Sequence, residues 1–318
     1  MTADRLVELS DVLAARNVVA GRIHRTPVFE SATLSAMTGT RLAIKLESFQ
    51  KTGSFKVRGV LNKLHHLSAE ERRRGVVTLS AGNHAQALAW AARDLGIHAV
   101  VVMPAGAVRS KVEATRGYGG EVVLTEGDLL ATCLEIQRTR DLVLVHPFDD
   151  PLVIAGQGTV GIEIVEEVPD LEVILVGVGG GGLISGIATA TAALRPGARV
   201  IGVEPEGAAV ISRSLEAGEP LRLERLDTVA DGLAAPFAGR HTLAHVRARV
   251  AQVVTVPDAA IVDAMRILLE RCKLLAEPAA SAPLAALIAR RFVPPPGARV
   301  VCVVSGGNID AERLKALL

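Results

Sequence analysis

Short runs rich in Val and Ile alternate with stretches rich in Ala and Leu along almost the whole chain. The runs predict strands at residues 42–46, 76–79, 99–103, 121–124, 142–146, 173–178, 200–203, 252–256 and 300–304. Between them apolar positions recur at helical spacing, which predicts helices over 85–95, 183–194, 258–273 and 281–291. This strand-then-helix rhythm predicts an α/β protein whose mainly parallel sheets are joined by crossover helices. Residues 75–148 hold four of the strands, enough for a small sheet of their own. They predict a smaller domain, with residues 1–74 and 149–318 forming a larger one. A ligand of such a molecule sits in the cleft between the domains, off the carboxyl ends of the strands.

Composition narrows the packing and the partners. The 318 residues suit about two domains, and 49% hydrophobic with 22% charged residues gives no sign of disorder. Aromatics make up only 3%, so the core is mostly Val, Leu, Ile and Ala, which suits strands covered on both faces by helices. A net charge of +1 with interspersed signs argues against nucleic acid or a membrane surface as a main partner. Arg72, Arg73 and Arg74 follow Glu70 and Glu71 and read as a solvated helix end. Cys133, Cys272 and Cys302 stand far apart without a metal-ligand spacing, which predicts reduced thiols. Residues 1–18 pattern as an amphipathic helix and not as a secretory leader. The apolar runs are too short and too Gly-interrupted to span a bilayer, so a cytoplasmic location is expected.

Four segments carry candidate chemistry. In KLESFQKTGSFKVRGVLNKL, residues 45–64, Thr52, Gly53 and Ser54 signal a helix start, and Val57, Val60, Leu61 and Leu64 form its apolar stripe. Lys56 shares the face of Val60 and Leu64, while Arg58, Asn62 and His65 fall on the other side. A lysine there either snorkels to solvent or is desolvated, which lowers its pKa and frees a neutral amine for Schiff-base chemistry. Both readings stay open on this segment alone. In SAGNH, residues 80–84, a strand end meets an Ala-rich helix. The backbone N–H groups there suit an anion such as a carboxylate; the alternative is plain helix capping by Ser80 or Asn83.

In GVGGGGL, residues 177–183, a buried strand feeds a glycine run that opens a helix, a phosphate cradle by local physics. Gly177, Gly179 and Gly182 also satisfy G-x-G-x-x-G, and Glu204 ends the next strand where a ribose-binding acid would sit. A nicotinamide-dinucleotide dehydrogenase or a ligand sensor is therefore the rival reading. In SGGN, residues 305–308, Ser305 ends a strand and Asn308 follows the glycines. A dinucleotide reading has no use for this last turn, whereas three turns at strand ends can meet around one ligand with Lys56 nearby.

With the segments in this order, the sequence resembles the fold-type II pyridoxal-phosphate enzymes (tryptophan synthase β-like). The branch it resembles holds the threonine/serine dehydratases, or ammonia-lyases, and the serine racemases. The resemblance runs from about His24 to Asp310, with HRTPV, KLESFQKTGSFKVRG, SAGNHAQ, HPFDDPLVIAGQGTVGIEI, GVGGGGL, ADG at 230–232, LAEPAAS and SGGN. It implies pyridoxal 5'-phosphate held as a Schiff base on Lys56, which later moves the substrate's Cα proton. It also implies Phe55 beside the cofactor ring, Asn83 bonded to its phenolic oxygen and Ser305 facing its nitrogen. The backbone N–H groups of Gly179, Gly180, Gly181, Gly182 and Leu183 would hold the phosphate. Ser80, Ala81, Asn83 and His84 would border the substrate carboxylate.

The implied activity is β-elimination from L-threonine, and from L-serine, to a 2-keto acid and ammonia, in a homodimer or larger homo-oligomer. Serine racemisation, or lysis of another β-hydroxy amino acid such as 3-hydroxyaspartate, is the alternative on the same cofactor. A hydroxyl at the ring nitrogen holds no proton there, which weakens the electron sink and favours elimination over transamination. Racemases of the branch read SSGNH, the second serine being the acid/base on the opposite ring face. Here Ala81 has no proton to give, which disfavours racemisation. For a divalent cation, Glu204 and the Ala208 carbonyl match the family's ligands, but Val210 replaces an acid, which weakens the site. Residues 146–150 and 232–237 are expected to shape the pocket for the β-substituent. The chain stops one short helix after SGGN, so the regulatory domain of biosynthetic threonine dehydratases is not expected.

Overall fold

The Val- and Ile-rich runs form two separate sheets in the computed structural model, which describes residues 5–318. The strands are β1 Val28–Glu30, β2 Arg41–Leu46, β3 Val76–Leu79, β4 Ala99–Pro104, β5 Glu121–Thr125, β6 Val143–Leu144, β7 Val173–Gly177, β8 Arg199–Pro205, β9 Gln252–Val256 and β10 Arg299–Val304. The larger sheet runs β1-β2-β10-β7-β8-β9 and the smaller β5-β4-β3-β6. Every pairing is parallel except β1 with β2. β1 has no counterpart among the predicted strands, because three residues carry no period and its partners 43–45 are supplied by the fold. The predicted strand 142–146 shrinks to two residues, as His146 leaves the ladder and accepts the Asp149 N–H on its Nδ1 at 2.8 Å.

Among the helices, Leu9–Val19 lies inside the amphipathic N-terminal pattern, whose residues 1–4 fall outside the described residues. Gly182–Leu194 follows the predicted 183–194 closely, Pro278–Ile288 starts and ends three residues before the predicted 281–291, and 258–273 divides into Asp258–Ile267 and a π-turn at Leu268–Cys272. The longest helix, Pro151–Glu167, is absent from the predicted set. Its three internal glycines each lower helix propensity by about 1 kcal/mol, which hides it in the sequence. Packing reverses that penalty. A Cβ at Gly156 would lie 2.6 Å from the Arg58 carbonyl, and one at Gly186 would lie 2.4 Å from the Gly158 nitrogen. Only bare backbone lets the helices Lys56–His65, Pro151–Glu167 and Gly182–Leu194 approach this closely.

The Lys56–His65 helix is where the amphipathic reading needs correction. Val57, Val60, Leu61 and Leu64 do enter the core beside Val76, Leu88 and Val101 of the smaller sheet's layer. Arg58 and Asn62, on the side away from that stripe, are nevertheless 0% and 1% exposed. The Pro151–Glu167 helix covers that side, so Asn62 donates to the Leu152 carbonyl at 2.7 Å. Arg58 donates to both Glu47 oxygens at 2.7 and 2.8 Å and to Glu163 at 2.7 and 3.0 Å. Burial works against the Arg58 charge, and the two carboxylates overcome it, holding the guanidinium above its ordinary range. Only His65 remains exposed. The three cysteines are free, and no helix among the described residues is long and apolar enough to cross a membrane.

Candidate active site

Lys56 begins its helix directly after Phe55, which is the N-cap and offers no side-chain cap. Thr52, Gly53 and Ser54 therefore do not cap it, contrary to the sequence expectation. Backbone closure takes their place, since the Phe55 N–H donates to the Ser305 carbonyl at 3.1 Å and so ties the helix start to the end of β10. The Lys56 ammonium donates to the Pro147 carbonyl at 2.8 Å and lies 5.1 Å from the centre of the Phe55 ring. Burial lowers its pKa to about 8, with Glu277 pulling the other way. The bond to Pro147 turns the Lys56 amine toward the protein, which supports the desolvated reading.

The amine opens into a cavity of about 360 Å³ that draws on both sheets. Phe55, Lys56, Ser80, Ala81, Asn83, His84, Gly179, Gly180, Gly181, Gly182, Leu183 and Ser305 all line it. The turn after β3, the turn after β7 and the end of β10 thus converge, as their placement at strand carboxyl ends requires.

The glycine run has the form of an anion cradle. Gly181 is the left-handed N-cap (φ 89°) of the Gly182–Leu194 helix, a conformation that strains any other residue. A Cβ on Gly180 would lie 2.4 Å from the Phe148 ring, so a side chain there would fill the cradle. No described backbone group accepts the N–H of residues 179–183, the orphan donors expected at a helix start. Unpartnered N–H groups and a positive helix end suit a phosphate, and Lys56 in the same cavity suits an aldehyde. The residues present therefore fit pyridoxal phosphate.

In the SAGNH turn, helix Asn83–Asp94 starts two residues before the predicted point, with Gly82 as N-cap and no side-chain cap. Capping by Asn83 is thereby replaced. Its Nδ2 donates to Glu277 at 2.6 Å, and its Oδ1 accepts from Asn308 at 2.7 Å. Ser80 accepts the Gly82 N–H at 3.1 Å and shapes the turn. His84 is 2% exposed, its Nε2 sits 3.1 Å from the Val145 carbonyl, and burial and Lys56 push its pKa to about 3. It is a neutral ring facing the protein, so its backbone N–H is what it offers an anion.

Glu204 and Ala208 stand apart from this cavity. The Glu204 carboxylate accepts the Ile211 N–H at 2.7 Å, the Ser212 N–H at 2.9 Å and the Ser212 hydroxyl at 2.6 Å. These bonds bind it to the start of the Val210–Ala217 helix and leave it no ribose to hold, against the dinucleotide reading. The segments expected to shape the β-substituent pocket do meet. His146, Phe148 and Phe237 pack edge to face or tilted, with centroids 4.6 to 6.0 Å apart.

Among the charged residues of the cavity, Lys111, Asp231 and Glu277 are given no role by the sequence pattern. Lys111 and Asp231 form an ion pair at 2.8 Å across the cavity wall. The signal that marks Glu277 in the sequence is a lone charge between apolar stretches, LLAEPAASAPLAAL. Burial, with Asp231 beside it, pushes its pKa up to about 7 against the Asn83 hydrogen bond, Lys111 and Lys56.

Comparison with known proteins follows the same lines. Residues 19–306 match the model of the family described as "Pyridoxal-phosphate dependent enzyme". The chain is 44% identical to an L-threonine ammonia-lyase of Thermotoga maritima over 98% of its length and 78% of that protein. It is 41% identical to an L-threo-3-hydroxyaspartate ammonia-lyase of a Pseudomonas species, covering 99% of each chain. Maize serine racemase superposes with a TM-score of 0.94 at 39% identity, over 98% of this chain and 97% of that one. A desolvated lysine, a glycine cradle and a match across nine-tenths of the sequence agree: the chain belongs to the pyridoxal-phosphate-dependent enzymes.

Proposed function

We propose that this chain is an ammonia-lyase that eliminates water from L-threonine, and from L-serine, and releases a 2-keto acid and ammonia. The observation that carries the proposal is the pairing of Lys56 with Ala81 in one cavity, a lysine able to lose its proton near neutral pH and a methyl where a racemase needs a second proton carrier. The likeness to the Thermotoga ammonia-lyase supports it. When bound, pyridoxal phosphate supplies the electron sink that makes a Cα proton removable.

The chain's own residues do the rest. Lys56 anchors the cofactor through Nζ and takes the Cα proton there. Residues 179–183 hold the phosphate through their N–H groups, Phe55 packs beside the ring, and the second Nδ2 hydrogen of Asn83 serves the ring oxygen. Ser305 offers a neutral hydroxyl, which leaves the ring nitrogen without a proton. The N–H groups at Ser80, Ala81, Asn83 and His84 bind the substrate carboxylate, and Phe148 and Phe237 exclude water beside its β-carbon. A homodimer or larger homo-oligomer working in the cytoplasm belongs to the same proposal.

Keto-acid release should be measured for L-threonine, L-serine, D-threonine and L-threo-3-hydroxyaspartate. L-threonine is expected to give the highest kcat/KM, with L-serine within about 10–200-fold of it, the range one methyl can command. No keto acid from any of the four would refute the proposal. A second reading, 3-hydroxyaspartate as the main substrate, is favoured by the Lys111 ammonium on the cavity wall, which a second substrate carboxylate would share with or take from Asp231. The same assay decides between them. The variant Ala81→Ser regains a hydroxyl at that position and is expected to raise D-serine formation from L-serine at least about tenfold, since a positioned acid/base contributes about 10²–10⁴-fold. Chiral chromatography reads the result, and an unchanged rate shows that Ala81 is not what limits racemisation.

A further inference from the structure

Glu277 has no task in the reaction as proposed. It occupies the N-cap position of the Pro278–Ile288 helix, but its side chain caps nothing there. Its carboxyl instead accepts from Asn83 Nδ2 at 2.6 Å, while Asn308 donates to Asn83 Oδ1 at 2.7 Å and to the Thr52 carbonyl at 2.8 Å. Flipping the Asn83 amide would set its oxygen against a carboxylate oxygen and its NH2 against the Asn308 NH2. Acceptor would meet acceptor and donor would meet donor. The two neighbours therefore admit one orientation, in which a single Nδ2 hydrogen remains unused.

We propose that Glu277 is a positioning residue: as a carboxylate it holds the Asn83 amide so that the remaining Nδ2–H is available to the ring oxygen of the cofactor. The inference rests on the placement of Asn83 at that oxygen, proposed above. The charged groups facing Glu277 are Asp231 from the turn 231–233, Lys111 from the Arg109–Gly117 helix and Lys56 from its own helix. Burial and Asp231 outweigh the bond from Asn83 and the two lysines, so the carboxyl changes charge around pH 7. Once protonated it can donate as well as accept, so it no longer selects between the two amide orientations and only Asn308 resists the flip. Cofactor binding that favours the ionised form must tighten as pH rises through that range.

The test is the Kd of pyridoxal phosphate for the cofactor-free full chain at pH 6 and pH 8, in the wild type and in Glu277→Gln, Glu277→Leu and Asn83→Ala. Glutamine keeps an acceptor oxygen but cannot ionise. The titration of the cofactor is common to both proteins and cancels in the comparison, and Asn83→Ala, which keeps Glu277 and its pull on Lys56, shows how much of the pH dependence Lys56 itself carries. Wild type is expected to tighten between the two pH values at least about threefold more than Glu277→Gln, and Glu277→Leu to bind about tenfold more weakly than wild type at pH 8. Equal pH dependence in wild type and Glu277→Gln overturns the inference. If Asn83→Ala leaves the Kd unchanged, the placement of Asn83 falls and the inference with it. If Asn83→Ala weakens binding while Glu277→Gln behaves as wild type, only the role of Glu277 falls.

Melting of the cofactor-free proteins gives a readout independent of binding. A folded-state pKa raised above the ordinary carboxylate value contributes stability at low pH that is lost as pH rises through about 7. The melting temperature of Glu277→Gln should therefore fall less than that of wild type between pH 5 and pH 8. Identical profiles overturn the titration of Glu277.

Discussion

Lys56→Ala is expected to lower keto-acid release by at least about 10³-fold and to abolish borohydride-fixable attachment of the cofactor to the chain. The size follows from two losses at one atom. General acid/base transfer alone contributes about 10²–10⁴-fold, and the covalent anchor is lost besides. Lys56→Arg should fare no better, because a guanidinium stays charged at any working pH and offers neither a nucleophile nor a base. The wild-type amine, lowered to about 8 by burial, gains its neutral form as pH rises through that value. Attachment of cofactor to the free chain should speed up over the same range. The Gly179 to Leu183 cradle does not depend on Lys56, so the variant should still bind cofactor reversibly. Steady-state keto-acid assay, with mass spectrometry of the borohydride-treated protein, checks both parts. Turnover within about tenfold of wild type would remove Lys56 from the chemistry.

Arg58→Leu is expected to cost about 3–5 kcal/mol of folding stability, the range for breaking a buried ion pair on one side. The substitution leaves the Glu47 carboxylate, 0% exposed, with the Thr26 hydroxyl as its remaining side-chain partner at 2.5 Å. Glu163 is less affected, since Lys45 still meets it at 2.7 Å. Replacing Arg58 and Glu47 together by apolar residues of similar volume should recover at least about half of the loss, because no charge is then buried alone. Urea denaturation of the cofactor-free protein reads both values. A loss under about 1 kcal/mol for Arg58→Leu would show that the network is solvated. Since Arg58 lies half a turn from Lys56 on one helix, the same variant is expected to weaken cofactor binding by loosening that helix against Pro151–Glu167.

Both substitutions fall on one ten-residue helix, and that helix separates what is local from what is not. The glycine run after β7 is legible because a strand, a left-handed N-cap and a helix start follow one another within a few residues, and backbone geometry does the rest. The turns at Ser80 and Ser305 are legible for the same reason. Parallel strands buried on both faces announce themselves as unbroken Val and Ile runs, so the α/β class follows directly. The Pro151–Glu167 helix is obscured because its glycines count against it locally, and their advantage exists only where two other helices press on them. β1 needs β2 before it is a strand at all.

Lys56 illustrates both sides. Its chain position, on the face of Val60 and Leu64 at a helix start, is determined by sequence alone. Its protonation is not, because desolvation comes from walls contributed by segments up to 250 residues away. The same holds for the side of that helix taken by Arg58 and Asn62. Periodicity assigns them away from the first apolar layer, and only the covering helix decides that away from one core means inside another. Glu277, Asn83 and Asn308 come from three distant segments, and their hydrogen-bond directions exist only once the fold joins them. The sequence by itself determined the fold class, the glycine turns at the strand ends and the place of Lys56 at a helix start, since each depends on neighbours within a turn or a strand. Which polar groups are buried, which way Asn83 points and where Glu277 titrates were decided by tertiary structure, because dielectric surroundings and partner geometry are properties of contacts between remote segments.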